Sequence, residues 1–404
     1  MSKKGFSTVL IHGEAHEGNA FNAHCTPIYA TSTFSFDSVE QGGNIFVGEE
    51  KGYIYSRWSN PTIEALEDRL SDMECHGVSD AQGSPIKAKS KAFASGMGAL
   101  TTLFLSLLKT GDMVISSGAL YGGTSELLDK MLPKYGMKRV VLDLNDLASI
   151  EETLTKFPQV KVIFMETPSN PTLCCYDIQA ISNLAKKYDV KVAVDNTFAT
   201  PYLQQPFRWG ADFIMHSTTK YLNGHGSSIG GIILGKNVEF MNTEFFETFK
   251  LVGANTSAFD AWLVLQGLKT LEVRMDRHCR NARKLAHYLL DHPAVAKVTY
   301  PGFEDHPHYE LATRQMKNYG GLISFELKAG FDGAVAALNK VKVCTLAVSL
   351  GGVDTLIQHP ASMTHASVDP EVKEKAGINE RLIRISVGME NIEDLMEDLD
   401  QAIS

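Results

Sequence analysis

Between about residues 112 and 235 the chain alternates short apolar, β-rich runs with helical stretches. The runs are DMVISS, KVIFMETP, VKVAVDNT, ADFIMHS and GIILG, and helical text such as DIQAISNLAKKY lies between them. Strands separated by helices cannot close as tight hairpins, so they pair in parallel through crossover helices. An α/β fold follows, a largely parallel sheet with helices on both faces and ligands expected where the strands end at their carboxyl edge.

Residues 1–64 carry turn-rich text (TPIYATSTFSF, GGNIFVGEEKGYIYSRWSNPT) with little helical periodicity, as expected of an extended arm lying on something else. ALEDRLSDME then reads as a helix and opens a large domain over 65–268. DAWLVLQGLKTLEVRMDRHCRNARKLAHYLLDH is one long amphipathic helical region, and the boundary falls inside it. Beyond it, GGLISFELK and IRISVG read as strands and GAVAALNKV and DLMEDLDQAI as helices, a smaller α/β domain over 269–404. GFEDHPHYELA and HPASMTHASVDPEVKEKAG read as loops from their Pro, Gly and His content.

At 404 residues, 44% hydrophobic and 21% charged, the chain is long enough for a large core and is not disordered. Its formal charge of −9 and lack of a basic stripe argue against nucleic acid as a partner. The start, MSKKGFSTVLIHGEAHEGN, has no apolar segment of signal-peptide type and no long apolar run follows, so neither membrane nor secretion is expected and a cytoplasmic location is. Six cysteines show no paired CxxC spacing, so no metal is expected.

Three strand ends carry reactive groups: Glu166 and Asn170 after KVIFM, Asp195 at the end of VKVAVD, and Lys220 after ADFIMHSTT. Each has a plain reading, Lys220 as a solvated strand end and Asp195 as Asp-Asn-Thr turn chemistry. A pyridine ring explains both together, because a lysine amine forms a Schiff base with an aldehyde and an aspartate keeps a pyridine nitrogen protonated. FASGMGAL places Gly96 and Met97 at a helix start, where backbone amides bind anions such as a phosphate. Ser217 and Thr219 offer hydroxyls from one side of the strand end, or cap it. Tyr121, in LYGGT, reads on its own as core packing, and Arg384, in RLIRISVG, as an exposed strand arginine.

AVDNT, HSTTKYLNGHG, ASGMGA, YSRWSNPT, SLGG and HPASMTH together resemble the Cys/Met metabolism family of pyridoxal-phosphate enzymes, which includes methionine γ-lyase, cystathionine γ-lyase, cystathionine γ-synthase and O-acetylhomoserine sulfhydrylase. The resemblance spans nearly the whole chain. It implies a fold-type I transferase architecture with a mostly parallel seven-stranded sheet, pyridoxal 5'-phosphate as cofactor, and a homotetramer built as a dimer of dimers. It further implies Lys220 as the Schiff-base lysine, Asp195 at the pyridine nitrogen and Tyr121 stacked on the ring. Phosphate contacts would come from Gly96, Met97, Ser217 and Thr219 and, donated by an adjacent subunit, from Tyr55 and Arg57. Asn170 would touch the ring hydroxyl, and Ser349 and Arg384 would hold the substrate carboxylate.

Within the family HPASMTHAS, MDRHCRNA and the apolar Ile54 and Val348 look most like methionine γ-lyase, implying γ-elimination of methionine or homocysteine to a keto acid, ammonia and a thiol. Cystathionine γ-lyase or γ-replacement of an O-acylhomoserine is the alternative. Gly123, where methionine γ-lyases usually carry cysteine, and Glu126 depart from that pattern.

Overall fold

The computed structural model describes residues 4–14, 22–366, 371, 373 and 377–404. Seven strands form the larger sheet: β1 (Lys89–Phe93), β2 (Met113–Ser116), β3 (Lys138–Val141), β4 (Val160–Glu166), β5 (Lys191–Asp195), β6 (Phe213–His216) and β7 (Gly231–Gly235), in the order β1-β7-β6-β5-β4-β2-β3. The neighbours from β3 to β6 pair in parallel, whereas β7 runs antiparallel to both β1 and β6. GIILG therefore departs from the simple alternation. The glycine-rich stretch between β6 and β7 holds turns and no helix, so it cannot carry the chain back for a parallel crossover.

The apolar runs are continuous because both sheet faces are covered, and alternate residues feed opposite layers. Val162 and Phe164 join Leu100, Leu103 and Phe104 of helix Gly96–Leu107 on one side. Ile163 and Met165 join Ile178 and Ile181 of helix Ile178–Lys187 on the other. Burying a side chain such as Phe164, fully enclosed here, stabilises the fold by roughly 2–3 kcal/mol.

The C-terminal part carries a second sheet of β8 (Val295–Thr299), β9 (Leu322–Leu327), β10 (Thr345–Leu346), β11 (Leu356–Gln358) and β12 (Leu382–Ser386), ordered β10-β11-β12-β9-β8. Its β11 and β12 pair antiparallel with Gln358 opposite Arg384.

Four local expectations change. The long helical region is two helices, Ala258–Leu268 and Leu271–Asp291. The end of GFEDHPHYELA opens helix Tyr309–Gln315. The N-terminal text holds two helices, Phe6–His12 and Val39–Val47, each too short to show a period, the second capped by Ser38 accepting from the Gln41 amide. Leu10 sits in the same core as Leu66 and Leu70 of helix Pro61–Cys75, so the first helix docks on its own chain. Of the arm, residues 1–3 and 15–21 lie outside the described residues, as do 367–370, 372 and 374–376 of the loop read over 359–377; its described part up to residue 366 is turns.

Candidate active site

At the carboxyl edge of the larger sheet, register puts Glu166 beside Asp195 and Asp195 beside Met215, so the ends of β4, β5 and β6 open on one space. A cavity of about 270 Å³ lies there, lined by Gly96, Met97, Tyr121 and Asn170 and by Asp195, Ser217, Thr219 and Lys220. Eight of the residues expected from the sequence thus share one wall. A larger cleft of about 840 Å³ lies under the N-terminal segment near His12, Asp68 and Lys269 and contains none of them.

Lys220 follows β6 on a turn, and its Nζ donates to Ser349 Oγ at 2.7 Å. Burial, with the Arg384 charge adding to it, brings the amine down to about 8. Ser349 itself has φ of 92°, a left-handed conformation that costs a non-glycine residue of order 1–3 kcal/mol and clusters at functional sites.

Arg384 is buried, at 2% exposure, which removes the reading of an exposed strand arginine. Its Nη2 donates to Ser349 O at 2.5 Å and its Nη1 to Asn170 Oδ1 at 3.0 Å. Gln358, its amide oxygen turned toward the guanidinium, accepts from both at 3.2 Å. All these partners are neutral, and among the described residues no carboxylate pairs with Arg384. Burial lowers it to about 10. A desolvated guanidinium without a counter-ion is a site for an incoming carboxylate.

On the opposite side, Asp195 Oδ1 accepts from the Thr197 hydroxyl at 2.5 Å and from its amide at 3.0 Å, so the turn chemistry read in Asp-Asn-Thr is present too. Among the described residues none donates a hydrogen bond to Oδ2. Burial raises the Asp195 carboxyl above its ordinary range, while the Thr197 hydrogen bonds and the Lys220 charge oppose the rise. Glu166 next door is pushed well above the carboxylate range, by burial first and by Asp195 second. It accepts from the Tyr121 amide at 2.7 Å.

Ser95 caps helix Gly96–Leu107 by accepting from the Gly98 amide at 3.0 Å, which leaves the Gly96 and Met97 amides at the open helix end. A Cβ at residue 96 would lie 2.8 Å from Met215 Cε and 3.4 Å from Ser217 Cβ, so glycine lets that end approach the β6 terminus.

Tyr55 and Arg57 stand apart from the cavity. Arg57 Nη1 donates to Lys250 O at 2.5 Å, and its guanidinium lies 5.6 Å from the Tyr55 ring centre. Thr197 and Gln358 are the contributors that sequence reasoning missed. Thr197 lay in the quoted AVDNT as an Asp-x-Thr turn, whereas Gln358 gave no signal before the β11–β12 register was known.

The family described as Cys/Met metabolism PLP-dependent enzyme matches residues 7–404. The chain is 44% identical over 404 residues to the L-methionine gamma-lyase of Fusobacterium nucleatum, covering 100% of this chain and 99% of that one. It is also 44% identical over 398 residues to the cystathionine beta-lyase of Lactococcus lactis, covering 98% of each. The crystal structure of cystathionine gamma-lyase from Lactobacillus plantarum complexed with L-serine superposes with a TM-score of 0.90 at 38% identity, over 99% of this chain and 98% of that one.

Proposed function

Because the chain belongs to the Cys/Met metabolism family of pyridoxal-phosphate-dependent enzymes and is a carbon–sulfur lyase of that family, we propose that its reaction is γ-elimination of methionine or homocysteine to α-ketobutyrate, ammonia and a thiol. The residues fit the cofactor: an open helix end at Gly96 and Met97, hydroxyls at Ser217 and Thr219, a lysine and an aspartate line one cavity. When bound, pyridoxal phosphate supplies a protonated pyridine ring that accepts the electron pair left as a substrate C–H bond breaks.

The chain's own groups do the rest. Arg384 and Ser349 bind and orient the substrate carboxylate, which places Cα over Lys220. Lys220, its basicity lowered to about 8, reaches the free-amine form more readily than an ordinary lysine, and that amine would take the Cα proton at Nζ. Asp195 would hold a proton on the pyridine nitrogen of the bound group, and Asn170, which accepts from Arg384, would contact that group. Departure of the γ-thiolate requires that a second proton first leave Cβ; Tyr121, which lines the same cavity, would then hand its hydroxyl proton to that thiolate, and water releases the keto acid and ammonia.

The observation that carries the reading is the buried, counter-ion-free Arg384 within one residue's reach of the Lys220 amine: Ser349 bonds both. Val348, beside Ser349, supports a thioether over a second zwitterion, since an apolar neighbour offers no partner to a distal amino acid head. Cystathionine is the second reading, favoured by the equal identity to a relative named for that substrate. Incubation with methionine, homocysteine, cystathionine, and O-acetylhomoserine plus sulfide, with keto acid and thiol products identified, tests it. Methanethiol and α-ketobutyrate from methionine are expected; turnover of cystathionine alone would overturn the substrate assignment.

A second copy of the chain completes this picture. Leu251 is 80% exposed next to Lys250, whose carbonyl accepts from Arg57, and Arg57 has no carboxylate partner among the described residues. We take this face as the seat of a neighbouring subunit and Tyr55 and Arg57 as phosphate donors to that neighbour, two such dimers forming a tetramer.

A further inference from the structure

Tyr121 is 45% exposed and stands at the start of a five-residue helix, so its own packing does not fix it. Its backbone is held from two sides. Glu166 accepts its amide at 2.7 Å from the sheet side. From the C-terminal part, the turns after β11 close on the same segment. His365, 1% exposed, has Nε2 3.1 Å from Leu120 O, so that nitrogen carries a proton and donates. The Thr364 carbonyl lies so near residue 122 that a Cβ there would sit 2.3 Å from it, and only glycine is accommodated.

The same turns reach the carboxylate site. Thr364 Oγ1 lies 3.0 Å from His365 Nδ1 and 3.3 Å from the Gln358 amide oxygen, which also accepts from both Arg384 nitrogens. Thr364 has one hydroxyl proton and two acceptors in reach. A carboxylate that takes over Nη1 and Nη2 strips Gln358 of two donors and makes its oxygen the better acceptor, which draws the Thr364 proton away from His365. Small shifts at a packed contact of this kind move the segment it holds.

We propose that Gln358, Thr364 and His365 are positioning residues that clamp the Tyr121 segment and report occupancy of Arg384 by a carboxylate to it. Tyr121 is thereby brought over the ring when substrate is seated. The proposal rests on the lyase reading for the role of Tyr121, but the clamp is measurable without turnover.

The test uses the holoenzyme and the visible circular dichroism of its lysine-bound cofactor, which responds to the asymmetry of the ring's surroundings. Butyrate, a carboxylate without an amine, is the probe. In the unaltered protein butyrate changes the signal. In Thr364→Val, which keeps the shape and loses the hydroxyl, butyrate still binds and the change is lost. His365→Ala lowers kcat by on the order of tenfold to a hundredfold while KM stays within about twofold, since misplacing a group by an ångström costs that much without touching carboxylate binding. His365→Gln, whose amide can donate to the Leu120 carbonyl, restores most of the loss, and Gly122→Ala reproduces it by a different route. The clamp is overturned if butyrate leaves the unaltered protein's signal unchanged, if Thr364→Val responds like the unaltered protein, or if His365→Ala loses thermal stability and kcat in step with no change in the cofactor signal. Failure to cleave methionine or cystathionine would sink the lyase reading and leave the butyrate response to decide the clamp.

Discussion

Thr197→Val isolates the hydrogen bond that governs the charge on Asp195. Thr197 Oγ1 donates to Asp195 Oδ1 at 2.5 Å and accepts from the Ser217 amide at 2.9 Å. Valine keeps the volume and removes both, while the Thr197 amide, 3.0 Å from the same carboxylate oxygen, remains. A hydrogen bond to a charged group contributes about 1.5–3 kcal/mol, so losing it weakens the preference for the ionised carboxylate by about that much and the Asp195 pKa rises. The sign is fixed: burial already raises this carboxyl, the lost bond favoured its ionised form, and its removal raises it further. On the proposed reading turnover uses ionised Asp195, so the acid limb of the kcat profile moves to higher pH. Activity is lost at mildly acid pH and recovered toward neutrality. Thr197→Ser retains the hydroxyl and stays near the original profile. The Ser217 amide also loses an acceptor, at a stability cost of about 1–3 kcal/mol that thermal unfolding reads separately. An acid limb displaced by less than about half a unit, with stability alone reduced, would refute the reasoning.

Asp195→Asn should reduce kcat far more than cofactor affinity, because the ring nitrogen loses its proton acceptor while the phosphate contacts remain; equal losses by equilibrium dialysis and kinetics would make Asp195 structural. Arg384→Met should lower kcat/KM by roughly a hundredfold or more, from about 3 kcal/mol of lost carboxylate pairing, with the rise concentrated in KM; an unchanged KM would contradict carboxylate binding there. Arg57→Ala and Lys220→Ala should each be poor alone, and after verified subunit exchange the mixture should regain activity, because a mixed dimer has one site with both residues intact. No recovery would confine Tyr55 and Arg57 to their own subunit.

The sheet was legible where the sequence pattern had one cause. Runs such as VIFM and VAV are apolar on both faces and sit in the centre of the sheet, and their terminal Glu166 and Asp195 could be recognised as ends. β1 was not, because KSKAF has two lysines in five residues. Lys91 is nevertheless buried, its Nζ 2.9 Å from Glu67, a pairing that arises only once helix Pro61–Cys75 is folded against the strand. Lys220, Asp195 and Gly96 were legible because each stands at a junction of element and turn. Gln358 and His365 were not: one becomes a neighbour of Arg384 by strand register, the other reaches Leu120 across 245 positions of sequence, and neither contact leaves a local signature. Tyr55 and Arg57 lie outside the cavity of their own chain.

Reduction of the purified, cofactor-loaded protein with borohydride, followed by proteolysis and mass spectrometry, locates the lysine that carries the cofactor. The account predicts the pyridoxyl phosphate mass on the peptide containing Lys220, and its absence together with the visible absorbance from Lys220→Ala. A label on any other lysine, or a visible band that survives Lys220→Ala, would contradict it.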